Sequence, residues 1–162
     1  MLFRSGFYRP GDAVRFAESA DLAKGLVFDG RLAEDFKLTT GTWVYAGSLR
    51  VGVLAACSPV LQDAIIAGAD RDYVGILAWL NVAGCQTLAK SASPPVAAHL
   101  AGHPAVLEHI TRTIARWNID QPATSTRIAR VLLLTEPPSI DENEITDKGY
   151  INQRLVDRKS VV

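Results

Sequence analysis

A carboxylate, three cations and a glycine loop are the parts of this 162-residue sequence best suited to chemistry. Asp12 follows Pro10-Gly11. A carboxylate only accepts, so it can take two neighbouring hydroxyls at once, and Gly11 lets a turn bring it close to a ligand. Pro-Gly-Asp is equally an ordinary turn. Arg31 closes Asp29-Gly30-Arg31. Its guanidinium offers forked donors to hydroxyl or phosphate oxygens; the plainer alternative is an exposed ion pair with Glu34 or Asp35, worth about 0–1 kcal/mol. Lys37 and Trp43 flank Thr39-Thr40-Gly41-Thr42. Gly41 permits close backbone approach, and Trp43 supplies an apolar wall or packs in a core. Lys148 precedes Gly149. A mobile ammonium steadies a forming oxyanion; the alternative is a solvated turn lysine.

Other chemistries find little support. His99, His103 and His109 lie within eleven positions, but Gly102-Pro104 interrupts them and no cysteine or acid has metal-ligand spacing. There is no Gly-x-Ser-x-Gly elbow and no glycine-rich phosphate loop. Lys and Arg total 17 and Asp and Glu total 17, so no global field draws nucleic acid or an acidic membrane. At 48% hydrophobic and 21% charged the composition is globular, and one domain plus part of another is the expected size. No apolar run approaches the ~20 residues of a membrane helix. The N-terminus has no apolar leader, and Cys57 and Cys85 are too few for a disulfide framework. A cytoplasmic location is the expectation.

The elements that must position these groups follow from hydrophobic spacing. Residues 6–17 read as strand, turn, strand around Pro10-Gly11-Asp12. Glu18–Gly25 reads as a loop or helical turn, and Leu26-Val27-Phe28 as a strand ending at a turn over residues 29–31. Glu34–Leu38 and Trp43–Tyr45 are short strands. Ser48–Ala56 is a helix with Ser48 as a possible N-cap. The apolar runs Ala64–Ala67 and Tyr73–Leu80 form a hairpin, and 82–90 and 96–102 are weak helices. Pro104 opens a stronger helix with Val106, Leu107, Ile110, Ile114 and Trp117 on one stripe. Arg127–Leu134 is a further strand, and a polar loop from residue 139 leads into a short helix. The fold class is α+β: a small antiparallel sheet covered by helices.

Three stretches in order carry a resemblance. They are Gly6-Phe7-Tyr8-Arg9-Pro10-Gly11-Asp12, then residues 28–44 (FDGRLAEDFKLTTGTWV), then Glu144-Ile145-Thr146-Asp147-Lys148-Gly149-Tyr150-Ile151-Asn152-Gln153-Arg154. Together they resemble the C-terminal part of an adenylate-forming (AMP-binding) acyl-CoA synthetase, closest to the feruloyl-CoA synthetase group. The resemblance implies an ATP-dependent ligase. An acid, aromatic in that group, is activated as acyl-AMP and passed to coenzyme A, with magnesium accompanying ATP. It also implies a mobile C-terminal lid that turns between the two half-reactions.

By that resemblance Asp12 and Arg31 bind nucleotide, Ala33 is the hinge, and Lys37, Gly41 and Trp43 line the pantetheine tunnel. Lys148 is the catalytic cation, with Tyr150 and Arg154 as secondary candidates. Three positions depart from the wider pattern. Pro10 stands where Thr is usual, Ala33 where Asp or Lys is usual, and alignment on Gly149 puts Tyr150 at the common lysine position. The implied organisation is the end of the large domain over 6–32 and the lid over 33–156. Residues 1–5 and 157–162 resemble translated sequencing adapter, so a clipped piece of a longer gene, inactive alone, is expected. Its missing partner would be the N-terminal domain of the same chain. The alternatives are the lid of another adenylate-forming enzyme, or a non-catalytic binding domain.

Overall fold

The computed structural model describes residues 10–90, 96–146, 149 and 151–157, and the backbone of two short paired strands, β1 (Phe3–Arg4) and β2 (Phe7–Tyr8). Strands β3 (Asp12–Glu18) and β4 (Asp21–Arg31) form an antiparallel hairpin. This corrects the expected loop over 18–25: the chain reverses at residues 19–20 and β4 begins at once. The expected turn at 29–31 is also strand; the turn falls at 32–34, where Glu34 N–H donates to the Arg31 carbonyl at 3.0 Å. The reason is that this hairpin is largely exposed. Its strands are held by their ladder and by contacts such as Lys24–Glu18 at 2.7 Å, not by an alternating buried face.

Strands β5 (Phe36–Lys37) and β6 (Trp43–Val44) pair as a second small hairpin, which leads into helix α1 (Ala46–Ala56). The helix starts two residues before the expected Ser48. Ser48 does not cap it; its hydroxyl donates to the Tyr45 carbonyl. The free N–H of Ala46 is taken instead by Asp35 Oδ1 at 3.0 Å, from outside the helix.

The core is a three-stranded sheet in the order β7 (Leu61–Ala67), β8 (Val74–Leu80), β9 (Ile128–Leu134). The hairpin β7–β8 is antiparallel, as its two apolar runs imply. The third strand joins the same sheet but runs parallel to β8, so the sheet is mixed. A parallel pair needs a long crossover, and here it is made of α2 (Val82–Ala89), α3 (Ala97–Ala101) and α4 (Pro104–Asp120). Asn118 sets where β9 begins: its amide donates to the Ile128 carbonyl and accepts from the Ile128 N–H, both at 2.8 Å.

β8 is buried along its whole length. Side chains alternate faces with period two. Ala64, Ile66, Val74, Ile76 and Ala78 join a core with Leu49 and Val53 of α1 and Val106, Ile110 and Ile114 of α4. Ile65, Ala67, Leu77 and Trp79 face the other way and meet Val156 of helix α5 (Gln153–Asp157). The α4 stripe is as expected at Val106, Ile110 and Ile114; Leu107 lies partly outside it, 42% exposed. No helix among the described residues is long and apolar enough to cross a membrane.

Candidate nucleotide cleft

The end of the β3–β4 hairpin lies against α1, and the contact is backbone on backbone. A Cβ built on Gly30 would stand 2.6 Å from the Gly47 Cα, and one on Gly47 would be closer still to Gly30. Gly30 also has φ +104°, which disfavours any L side chain. Beside this contact is a cleft of about 410 Å³. The hairpin contributes Asp12, Phe28 and Arg31; Glu34 follows from the turn; α1 gives Arg50 and Val51; Gly149 and Ile151 close it.

Asp12 and Arg31 are nineteen positions apart in sequence, yet they are partners in the ladder. The Leu32 N–H donates to the Gly11 carbonyl at 2.9 Å and continues the pairing past Asp12. A carboxylate acceptor and a guanidinium donor thus stand side by side at one cleft wall. Arg50 stands across from them, held by Asp63, whose Oδ1 accepts from its Nε at 3.0 Å and from the Ala64 N–H at 2.7 Å. Arg50 belongs to none of the motifs in the sequence. Its one signal is that it is the only charged residue of α1.

The segment that carries Gly149 is fixed at both ends. Ile145 and Ile151 form an antiparallel bridge, and the Asn152 N–H donates to the Glu144 carbonyl at 2.7 Å. Glu144 is buried, and its carboxylate accepts from the Ser139 N–H at 2.8 Å. Gln153, also buried, donates its amide N–H to the Glu34 carbonyl at 3.2 Å. Lys148 and Tyr150 lie outside the described residues; Gly149, between them in sequence, lines the cleft. Arg154 is exposed on α5.

Burial raises the Glu34 carboxyl above its ordinary 4.5, against the opposing pull of Arg50 and then Arg31, with Asp35 adding to the rise. The folded state therefore holds the Glu34 proton more tightly than the unfolded chain does. Stability is greater where Glu34 is protonated and falls as pH rises from 4.5 through the folded value. Glu34→Gln removes that loss. Its urea midpoint is expected to fall less than that of the parent chain between about pH 4 and about pH 7. Asp35 is raised by burial too and gives both chains a residual slope of the same sign. Parallel curves for the two chains would contradict the placement of Glu34.

The other expected site residues lie elsewhere. Ala33 is exposed in the turn at 32–34. Lys37 and Trp43 are paired across β5–β6, with Lys37 Nζ 5.0 Å from the indole centroid. Trp43 is 50% exposed, which sets aside core packing. Gly41 turns this hairpin at φ +83°. These three form a surface separate from the Asp12–Arg31 cleft. Among the described residues no group of three His, Cys, Asp or Glu is placed to hold a metal ion.

No family model matches the sequence, and no curated protein matches it. Solved structures do. The adenylation domain of carboxylic acid reductase from Segniliparus rugosus, in complex with AMP and a co-purified carboxylic acid, matches with TM-score 0.64 and 18% identity over 98% of this chain and 23% of that one. The fold is that of a C-terminal domain of adenylate-forming enzymes. An anthranilate CoA ligase in complex with anthranoyl-AMP gives TM-score 0.59 at 18% identity, over 98% of this chain and 25% of the other. The amide bond synthetase McbA from Marinactinospora thermotolerans gives 0.57 at 18%, over 99% and 26%. The chain therefore spans about a quarter of the length of these structures.

Proposed function

We propose that this chain is the C-terminal part of an ATP-dependent acid–CoA ligase, acting on an aromatic acid such as ferulate. The observation that carries the reading is the pairing of Asp12 with Arg31 in a cleft that Gly149 also lines. In this reading Asp12 accepts from the ribose hydroxyls, and Arg31 donates to ribose or phosphate oxygens. The acid carboxylate attacks the α-phosphate of ATP, the bond to the β-phosphate breaks, and pyrophosphate leaves. Lys148 steadies the charge on the phosphate. Coenzyme A then attacks the acyl carbon along Lys37, Gly41 and Trp43, and AMP leaves.

Residues 6–32 would close a large N-terminal domain, and 33–156 would be the lid, pivoting at Ala33. The hairpin supports such a partner. Val14, Phe16, Leu22, Leu26 and Phe28 are each 49–61% exposed, a patch that a missing domain would cover. The test is acid-dependent exchange of labelled pyrophosphate into ATP by the full-length gene product. Exchange with aromatic acids, followed by CoA-ester formation, is expected. No exchange would sink the proposal. Exchange without the ester would move the chain to an enzyme that passes its adenylate to another acceptor; a carboxylic acid reductase and an amide bond synthetase are among the structures it resembles.

A further inference from the structure

Arg50 is anchored in a way that leaves part of it to spare. A guanidinium carries several N–H donors in a fixed fork, and a bidentate pair would spread them over both oxygens of a carboxylate. Asp63 meets Arg50 differently. A single oxygen, Oδ1, accepts from both Nε and Nη2. That oxygen is itself pinned, because it also accepts from the Ala64 N–H of β7 at 2.7 Å. The arginine is thus tied to the central sheet along one edge of its fork. Its side chain stays 34% exposed, and the residue lines the cleft of about 410 Å³. The plain role of such a pair is to tie α1 to β7. The donors that Asp63 does not take allow a second one.

Position says what that role is. Asp12 and Arg31 precede Ala33 in the chain and Arg50 follows it, so a pivot there divides the cleft wall between two bodies. Arg50 and Arg31 lie within electrostatic reach of one group, the Glu34 carboxyl, and both favour its ionised form. An anion in the cleft can therefore meet a cation from each body. The volume falls within the range of about 300–1,000 Å³ for small-molecule sites, and Phe28, Val51 and Ile151 add an apolar side. We propose that Arg50 is the moving body's own ligand for the phosphate chain of ATP, with Asp63 as the residue that positions it. Nucleotide seated on Asp12 and Arg31 then bridges the pivot. The choice of ligand rests on the ligase reading above.

The test is calorimetric titration of the full-length gene product with ATP and with adenosine. The parent is expected to bind both. Arg50→Gln should weaken ATP about tenfold, because a charged hydrogen bond is lost from a partly exposed site, and should leave adenosine unchanged. Arg116→Gln removes an exposed cation paired with Asp120 on α4 and should change neither. Equal weakening of ATP and adenosine would mean that Arg50 only props the cleft wall, and would overturn the proposal. Unchanged ATP affinity would overturn it too. Both results leave the ligase reading standing when the parent exchanges pyrophosphate with an acid present. If Arg50→Gln does not fold, Arg50→Lys decides. Lysine keeps the charge near Asp63 but not the fork, so ATP should still weaken about threefold with adenosine unchanged; no change would sink the assignment. A parent that binds no ATP removes the ligase reading, and this assignment with it.

Discussion

Gly47→Ala is expected to destabilise the fold by about 3 kcal/mol, the upper end of the overpacking range. The reason is the absence of anything that can give way. The atoms a new Cβ would meet are the Gly30 Cα and backbone nitrogen and the Asp29 carbonyl oxygen. Overpacking against side chains is relieved by a rotamer change; here relief requires α1 and β4 to separate. Urea unfolding checks it, with Gly102→Ala as the control. The nearest atom to a Cβ on Gly102 is 3.9 Å away, so that change should stay within about 0.5 kcal/mol. Equal midpoints for the two variants would show that the hairpin does not rest on α1 as described. The same separation would spread Asp12 and Arg31 from Arg50, so Gly47→Ala should also lose nucleotide affinity in the full-length protein.

Lys148→Ala in the full-length protein should slow adenylation about 10²–10³-fold, the usual cost of removing a group that stabilises a developing oxyanion. Thioester formation from preformed adenylate should be nearly unchanged, since no pentavalent phosphate forms in that step. Single-turnover assays of each half-reaction separate the two. Equal losses in both would sink the assignment of Lys148 to the first step. Tyr150→Phe is the companion variant, because alignment on Gly149 puts Tyr150 at the lysine position of common relatives. A large adenylation loss there, with Lys148→Ala mild, would transfer the role.

The parts of this fold that bury a face were readable from sequence. Continuous apolar runs marked β7 and β8, and Pro104 with Val106, Ile110 and Ile114 at helical spacing marked α4, because burial leaves a run or a stripe on the chain. The exposed hairpin was readable only at its ends. Asp21–Gly25 has no apolar alternation, and its strand conformation comes from pairing with β3. Nor does local sequence record the cap of α1, because Asp35 lies eleven residues before the amide it accepts from. The direction of β9 depends on the path through three helices, which composition does not encode. At the candidate site Asp12 and Arg31 stood out singly by residue type, but the ladder register joins them. Arg50 was hidden because an arginine on a helix is usually solvated.

The Gly30–Gly47 contact has a consequence for a pivot at Ala33. Gly30 lies before that residue and Gly47 after it, so the touching surfaces belong to the two bodies that would turn. Neither glycine carries a knob, and none has to be withdrawn from a hole when they part. If the proposed lid turns there, such a joint would slide apart like two smooth plates, and the barrier to swinging would fall mainly on what is lost from the cleft. The bond from Gln153 to the Glu34 carbonyl lies wholly on the far side of the pivot. The C-terminal segment would therefore travel as cargo with the moving body, leaving Asp12 and Arg31 behind.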